Sequence, residues 1–462
     1  MRNKAGNEFM TFFIYNRFAP FLLQFKFINV LSQKCCQFVQ SVLVGFDTAF
    51  HMCGISLKLI GLWPQLKTSK LEKICTLIRF TLITSVIVVF INISQTIKLI
   101  MIWGNLDLMT DIISTANLPI LIAVFKMLIF FKHRKAFEPL LEFVTSDWNS
   151  VNSKDGLKNM QANAIIARRM SWICAILGFA TVHGHLLIRI GQELEYLPGK
   201  PSTRLLLVDS YFPYDYKPTP VYEVTWIMQY SGAALATFAY SGIYCLFVAL
   251  VLHLCGQFAN LREQLDKLVS VSNRNFEMNL AKIVLRHEQL NKFAATIENI
   301  FNPMFLAEIL GCTIQFCMQG FLVVTVSLLY YIFKKSLIFQ HNWNINFQLS
   351  SSKDMGFPVL HLLFMAVYVM HIGTHLFICC YVAEKLKDES SSIFRAVYNC
   401  KWYELQPKQA ALLLIIMQRA KKPLKVTAGK FCSFSMSLYA KIFKTSAGYL
   451  SMLLAVRDRI VV

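Results

Sequence analysis

Seven stretches of this sequence are long and apolar enough to cross a lipid bilayer, and they limit the possible folds more than any other feature. They lie near 74–97, 112–131, 171–190, 226–255, 304–333, 357–383 and 431–456. A helix needs about 20 apolar residues to span a bilayer. Only 16% of the residues are charged, against roughly 25% in soluble domains. The sequence therefore predicts an all-α membrane protein with seven transmembrane helices.

The distribution of positive charge predicts the orientation of these helices. Lys and Arg are roughly three times more numerous in 1–73, 132–170, 257–303 and 384–430 than in the four segments on the other side, 98–111, 189–225, 333–356 and 457–462. Such residues favour the cytoplasmic side. The N-terminus is therefore predicted to be cytoplasmic and the C-terminus extracellular. This topology also accounts for the net charge of +20, so no nucleic-acid partner is predicted.

The sequence lacks the residues that several functional classes require. No Gly-rich phosphate loop, HExxH, GxSxG or CxxC pair occurs, so neither an enzyme nor a cofactor site is predicted. His183 and His185 are two apart on a predicted helix and point in different directions, so no metal site is predicted. Lys126 is expected to extend to the cytoplasmic interface. No paired charge is predicted within the membrane, which argues against a transporter.

Amphipathic segments continue from the predicted spans on the cytoplasmic side. Apolar residues follow a helical spacing between 258 and 268, and the segments 280–300 and 408–419 have the same character. Such apolar stripes need a surface to pack against. Cytoplasmic helical extensions are therefore predicted to form an oligomeric base, with 384–430 as its anchor segment.

The remaining parts of the chain divide as follows. Residues 1–73 are predicted to be a cytoplasmic N-terminal segment, and 74–456 the seven-helix domain. The long outer loop 191–225 contains five prolines and several tyrosines. Loops of this composition form lids or vestibules, and an ordered surface loop is an equally good interpretation.

Four pieces of the sequence together resemble one family. They are GLWP at 61–64, YFPYDY at 211–216, AVYNCKWYEL at 396–405 and RAKKPLKVTAGKFCSFSMSLYAKIFKTSAGYLSMLL at 419–454. With these motifs the chain resembles insect odorant receptors over nearly its whole length. The short segment between the fourth and fifth spans is similar to that of an odour-tuning subunit and unlike that of the shared co-receptor.

The resemblance implies a function, a partner and a location. The implied protein is the subunit that binds a small volatile odorant in a ligand-gated, non-selective cation channel for the sense of smell. The implied assembly is a heterotetramer with the olfactory co-receptor, in contact with membrane lipid, in the plasma membrane of olfactory sensory neurons. A metabotropic seven-helix receptor and a gustatory-type receptor of the same superfamily are the alternatives.

Two segments depart from the family pattern. Residues 1–45 extend further before GLWP than in other members, and 334–356 is longer and more polar than the usual connection between the fifth and sixth spans. We interpret one or both segments as translated intron or misassigned exon sequence.

The resemblance also places a ligand site in the outer half of the second, third, fourth and sixth spans. An apolar and aromatic pocket with one or two hydrogen-bonding groups suffices for a volatile ligand. The candidates for ligand contact are Asn117, Leu121, Phe179, His183, Leu186, Tyr230, Ala234, Phe364 and Tyr368.

The last span is the candidate pore helix. Small and hydroxyl residues follow one helical stripe, at Ser433, Ser437, Ala440, Lys444, Gly448 and Ser451. Met452 and Val456, one turn apart, align with the constricting positions of the family and are the candidate gate, which would close by dewetting. Lys441 and Lys444 are expected to point away from the pore. The alternative is that small residues here only permit close helix packing.

Overall fold

Helices form most of the part of the chain that the computed structural model describes, which is residues 45–64, 69–151, 153–195, 204–269, 276–342 and 356–461. The helices of this part are α1 (Phe46–Ile60), α2 (Lys70–Met101), α3 (Leu106–Ser150), α4 (Lys154–Glu195), α5 (Val221–Leu268), α6 (Phe276–Asn342), α7 (Gly356–Asn399), α8 (Pro407–Ala420) and α9 (Met436–Val461). An antiparallel hairpin of β1 (Thr427–Ala428) and β2 (Cys432–Ser433) separates α8 from α9.

Six of these helices, α2 to α7, are long and apolar enough to cross a membrane. They contain the first six predicted spans, and the prediction of an all-α membrane protein is confirmed. Helix α9 is not among the six, because Lys441, Lys444 and several hydroxyl residues make it more polar. Its 26 residues are nevertheless enough to span a bilayer.

The predicted helical extensions are confirmed. Helix α5 continues to Leu268, α6 begins at Phe276, and α7 continues to Asn399 before α8. The positively charged segment 132–170 is also helical, since α3 ends at Ser150 and α4 begins at Lys154. The apolar stripe at the end of α5 is buried within this chain alone. Helix α8 instead leaves Leu414 and Ile415 exposed.

Helix α5 is the centre of the bundle. It packs against α1, α2, α3, α4, α6 and α7. Every residue of α5 from Ser241 to Ala259 is buried. A helix that is apolar on all sides is expected to be enclosed by other helices, and this stretch contains mainly Leu, Val, Ala, Phe and Cys.

Helices α2 and α3 each contain a π-helical turn, Val88–Ile93 and Ile113–Asn117. The Asn92 amide donates to the Asn117 carbonyl at 3.0 Å, and the Asn117 amide donates to Thr96 Oγ1 at 3.1 Å. The wider turns thus join the two helices through polar side chains. Turns of this kind are frequent at functional sites.

The predicted start of the last span at Phe431 is wrong, because α9 begins only at Met436. Gly429 and Lys430 adopt positive φ angles of 58° and 63° and form the turn between β1 and β2. The hairpin is held on α6, where the Gly429 N–H donates to the Asn302 carbonyl at 3.3 Å and the Asn302 amide donates to Thr427 Oγ1 at 2.6 Å. Ser433 therefore lies in a strand and not on a helical stripe.

Candidate functional site

A cavity of about 100 Å³ lies between α3, α4, α5, α6 and α7, in the half of the bundle that the charge distribution predicts to be extracellular. Most of its wall is apolar, with contributions from Ala116, Ile120, Ala236, Phe364 and Ile372. The polar groups in the wall are Thr115, Thr181, His185, Thr237, Tyr240, Gln315, Tyr368 and His371. An apolar space with a few convergent polar groups is suited to a small organic ligand.

The loop before α5 forms part of the cavity wall. Leu207 and Val208 are buried and line the cavity. The Leu207 carbonyl accepts hydrogen bonds from His185 Nε2 at 2.8 Å and from Arg189 Nε at 3.1 Å. The Gln229 amide donates to the Val208 carbonyl at 3.3 Å, and its carbonyl oxygen accepts from the Val208 N–H at 3.3 Å. The part of the loop around Leu207 and Val208, which we call the lid, thus forms one side of the cavity wall.

Two of the candidate ligand residues, Phe364 and Tyr368, line this cavity. The Tyr368 hydroxyl donates to the Ser114 carbonyl at 2.9 Å, so it also ties α7 to the π-helical turn of α3. Leu186 and Ala234 are partly buried outside the cavity wall, and Leu121 is exposed on α3. Asn117 also lies outside the cavity wall, where it forms hydrogen bonds with α2.

The other candidates form a separate aromatic cluster on α4 and α5. The ring of Phe179 stacks on that of His183, with centroids 3.7 Å apart. His183 Nε2 lies 3.0 Å from the Tyr230 hydroxyl. His185, two residues further on, faces the lid and the cavity instead. The two histidines therefore have different partners, as their spacing on a helix requires.

Several cavity residues were missed in the sequence although a signal for them exists. Thr181, Gln315 and His371 are polar residues inside predicted spans, where such residues are expensive and generally functional. Nothing in the sequence singled out Leu207 and Val208, because which loop residues turn inward depends on Gln229 and His185, which are distant along the chain.

The expectation that Lys126 extends to the cytoplasmic interface is wrong. Its side chain is buried and forms an ion pair with Glu308 of α6. The Lys126 ammonium also lies 4.2 Å and 4.1 Å from the ring centroids of Tyr240 and Tyr244. The Tyr240 hydroxyl donates to Glu308 at 2.7 Å. A buried charge is stable only when paired and hydrogen-bonded, and these partners provide both.

The prediction that the membrane spans contain no charge pair is therefore also wrong. Glu308 went unnoticed within an apolar segment, and its partner is 182 residues away along the chain. Tyr240 belongs both to the cavity wall and to the group around the ion pair. The ion pair thus lies directly beside the candidate ligand cavity.

Helix α9 packs on α6 through one face and leaves the opposite face exposed. Ile442 and Ser446 are buried, and the Ser446 hydroxyl lies 3.2 Å from the Thr313 carbonyl of α6. The candidate pore and gate residues Ser437, Lys444, Gly448, Met452 and Val456 are all exposed in the single chain. Lys441 is exposed as well, so neither lysine packs among the other helices of this chain.

This combination of membrane-length helices around a lidded apolar cavity defines a polytopic helical membrane protein with room for a small ligand. The sequence profile of the family described as 7tm Odorant receptor matches residues 106–340 and 347–447. The chain belongs to the 7tm odorant receptor family. It is accordingly a receptor-family protein and not an enzyme.

Known odorant receptors of insects are similar to this chain. Odorant receptor 13a of Drosophila melanogaster is 25% identical over 268 residues, which cover 53% of this chain and 56% of that protein. Odorant receptor Or2 of Anopheles gambiae is 19% identical over 416 residues, covering 87% of this chain and 96% of that protein. The resemblance to insect odorant receptors is thereby confirmed.

The fold is similar to that of a solved insect receptor. The insect olfactory receptor OR5 from Machilis hrabei, in complex with eugenol, superposes with a TM-score of 0.71 at 16% sequence identity. The superposition covers 88% of this chain and 97% of that one. This similarity supports the helical membrane fold described above.

Proposed function

We propose that this chain is an odour-tuning receptor subunit that binds a small volatile odorant in the lidded cavity. The observation that carries the proposal is the mainly apolar cavity between α3, α4, α5, α6 and α7, into which a limited set of polar groups converges. The solved insect receptor with the same fold was obtained in complex with eugenol, a small organic molecule. Family membership supports two further parts of the proposal, expression in olfactory sensory neurons and a location in their plasma membrane.

The same proposal includes conduction of cations by an assembly with the olfactory co-receptor. The exposed face of α9, with Ser437 and Gly448, is available to line a shared pore. The exposed Leu414 and Ile415 of α8 are available to pack on a neighbouring subunit at the cytoplasmic base. Met452 and Val456 are then the hydrophobic gate near the outer end.

A path of direct contacts connects the cavity with α9. Tyr240 lines the cavity and bonds to Glu308 of α6. Five residues further along α6, the Thr313 carbonyl lies beside Ser446 of α9. Binding opens the pore only if the odorant has higher affinity for the open state than for the closed one. We infer that a shift of α5 against α6 on binding is passed to α9.

Current recording with the co-receptor tests this function. Cells that express both proteins should respond to members of a broad odour panel, and cells with the co-receptor alone should not respond to the same compounds. Surface labelling confirms that the receptor reaches the membrane. A surface-expressed pair that gives no current with any compound contradicts the proposal.

The metabotropic alternative differs in topology. An epitope tag at the C-terminus should be accessible to antibody in unpermeabilised cells if α9 runs outward. An N-terminal tag should then become accessible only after permeabilisation. The reverse pattern would support the metabotropic class.

A further inference from the structure

Two buried polar atoms beside the cavity have no hydrogen-bond partner among the described residues. They are Nε2 of His371 on α7 and Oγ of Ser241 on α5. The two residues are only 8% and 6% exposed. A buried polar atom without a partner is costly, and native structures contain few of them.

The tautomer of His371 follows from its neighbour Thr181. The Thr181 hydroxyl donates its single hydrogen to the Leu177 carbonyl at 2.8 Å. It can therefore only accept from His371 Nδ1, which lies 3.2 Å away. The His371 Nδ1 consequently carries the hydrogen of the neutral ring, and Nε2 is a hydrogen-bond acceptor.

Both unpartnered atoms lie close to one point, at Gly178 of α4. A Cβ atom at Gly178 would be 3.6 Å from His371 Nε2 and 3.4 Å from Ser241 Oγ, with the Thr237 methyl group at 3.0 Å. Thr181, Thr237 and His371 all line the cavity. Gly178 therefore lets α4 approach α5 and α7 closely, and the two unpartnered atoms meet beside the cavity-lining Thr237, in what we call the polar corner.

We propose that this corner is a subsite for the hydroxyl group of the ligand, an inference that rests on the proposed odorant-binding function. The ligand hydroxyl donates to His371 Nε2 and accepts from the Ser241 hydroxyl. The ligand class is therefore volatile alcohols and phenols, with the carbon skeleton in the apolar part of the cavity. Ketones and ethers of the same shape cannot donate and leave Nε2 unsatisfied.

The proposal is tested with matched odorant pairs on cells that express the receptor and the co-receptor. Each pair has one carbon skeleton, as secondary alcohol and ketone, alcohol and methyl ether, or phenol and anisole. We expect the hydroxyl member to be active at concentrations about tenfold lower, since one hydrogen bond is at stake. Equal sensitivity to both members of every active pair would overturn the subsite.

Variants assign the preference to the named atoms. His371→Phe removes the acceptor and should reduce the preference for the hydroxyl member of a pair about tenfold. Ser241→Ala removes the donor, from which alcohols, ketones and ethers can all accept, and should reduce sensitivity to both members of a pair. His371→Gln provides an acceptor again and should restore part of the preference. Ser231→Ala is the matched control, because that hydroxyl on the same helix bonds to the Met228 carbonyl.

The outcomes separate this inference from the function on which it rests. A uniform loss of response to both members of a pair in His371→Phe, or an unchanged response to both members in Ser241→Ala, refutes the subsite alone. If His371→Phe fails to reach the surface, Ser241→Ala and the wild-type ligand pairs decide the question. A surface-expressed wild-type receptor without any odorant current refutes the proposed function, and the subsite with it.

Discussion

Lys126 of α3 and Glu308 of α6 form a buried ion pair directly beside the candidate odorant cavity. The pair is enclosed by Tyr240 and Tyr244, whose rings face the ammonium group. Such a pair adds little stability when compared with apolar residues, but removing one partner leaves an uncompensated buried charge. It therefore fixes α3 against α6 and connects the cavity with the helix that supports α9.

Replacing Lys126 with Met should strongly destabilise the protein. The Glu308 carboxylate would remain buried without its counter-ion, at a cost of about 3–5 kcal/mol. The thermal unfolding midpoint in detergent, followed by fluorescence size-exclusion chromatography, measures the effect. Lys158→Met is the control, because Lys158 is exposed on α4. An unchanged midpoint for Lys126→Met would show that the charge pair is not required.

Gln229→Ala should loosen the lid over the cavity. Gln229 is fully buried and bonds to both backbone groups of Val208 and to the Ser210 hydroxyl at 3.0 Å. We expect higher effective odorant concentrations for all ligand classes and faster proteolysis within 204–220. Gln289→Ala on the exposed surface of α6 serves as the comparison. Unaltered proteolysis and dose–response curves would contradict the role of the lid.

Gly429→Ala should destabilise the junction between α8 and α9. Gly429 has a φ of 58°, and a Cβ there would lie 2.8 Å from Leu306 Cδ2. The backbone strain alone costs about 1–2 kcal/mol, and the contact with Leu306 adds to it. The unfolding midpoint should fall. Gly448→Ala is a suitable comparison for stability, because a Cβ there meets nothing within 4 Å.

Acidification should reduce stability through His287, at the beginning of α6. Burial lowers the pKa of His287 below its usual value, and the positive charge of Arg419 contributes to the lowering. At pH values between the pKa of His287 in the folded chain and its value near 6.5 in the unfolded chain, the unfolded chain binds a proton at His287 and the folded chain does not. The contribution of His287 to the free energy of unfolding is therefore complete above about pH 6.5 and decreases as the pH falls below that value.

The pH effect is measured as the unfolding midpoint between pH 7.5 and pH 5.5. Other titrating groups also contribute to this difference, so the comparison is with His287→Gln. The variant should lose less stability on acidification than the wild type. An equal loss in both proteins would mean that the imidazole of His287 has no part in it.

Met452→Ser should increase the current without odorant. A polar side chain at a hydrophobic constriction favours wetting of the closed pore. Met452 is 66% exposed in the single chain, so the substitution should not disturb its fold. The current without odorant, and its inhibition by a channel blocker, are recorded with the co-receptor present. Surface labelling is used to normalise the current to the amount of receptor at the surface. A basal current equal to that of the wild type would place the gate elsewhere.

The helical class of the membrane protein and its first six spans followed from the sequence, because about 20 apolar residues in lipid have few alternatives to a helix. The terminal motif and GLWP also led to the right family. The start of α9 was placed too early, because the turn at Gly429 and Lys430 depends on bonds to Asn302. Asn302 is more than a hundred residues distant along the chain.

Only the tertiary structure decided which side chains meet. Phe364 and Tyr368 line the cavity, whereas His183 and Tyr230 bond to each other outside its wall. Helical periodicity assigns a residue to a face but does not say which neighbouring helix covers that face. The same limit hid the partner of Lys126, because Glu308 reaches it only through the packing of α3, α5 and α6. Composition determined the class of fold, and the long-range packing of helices determined the site.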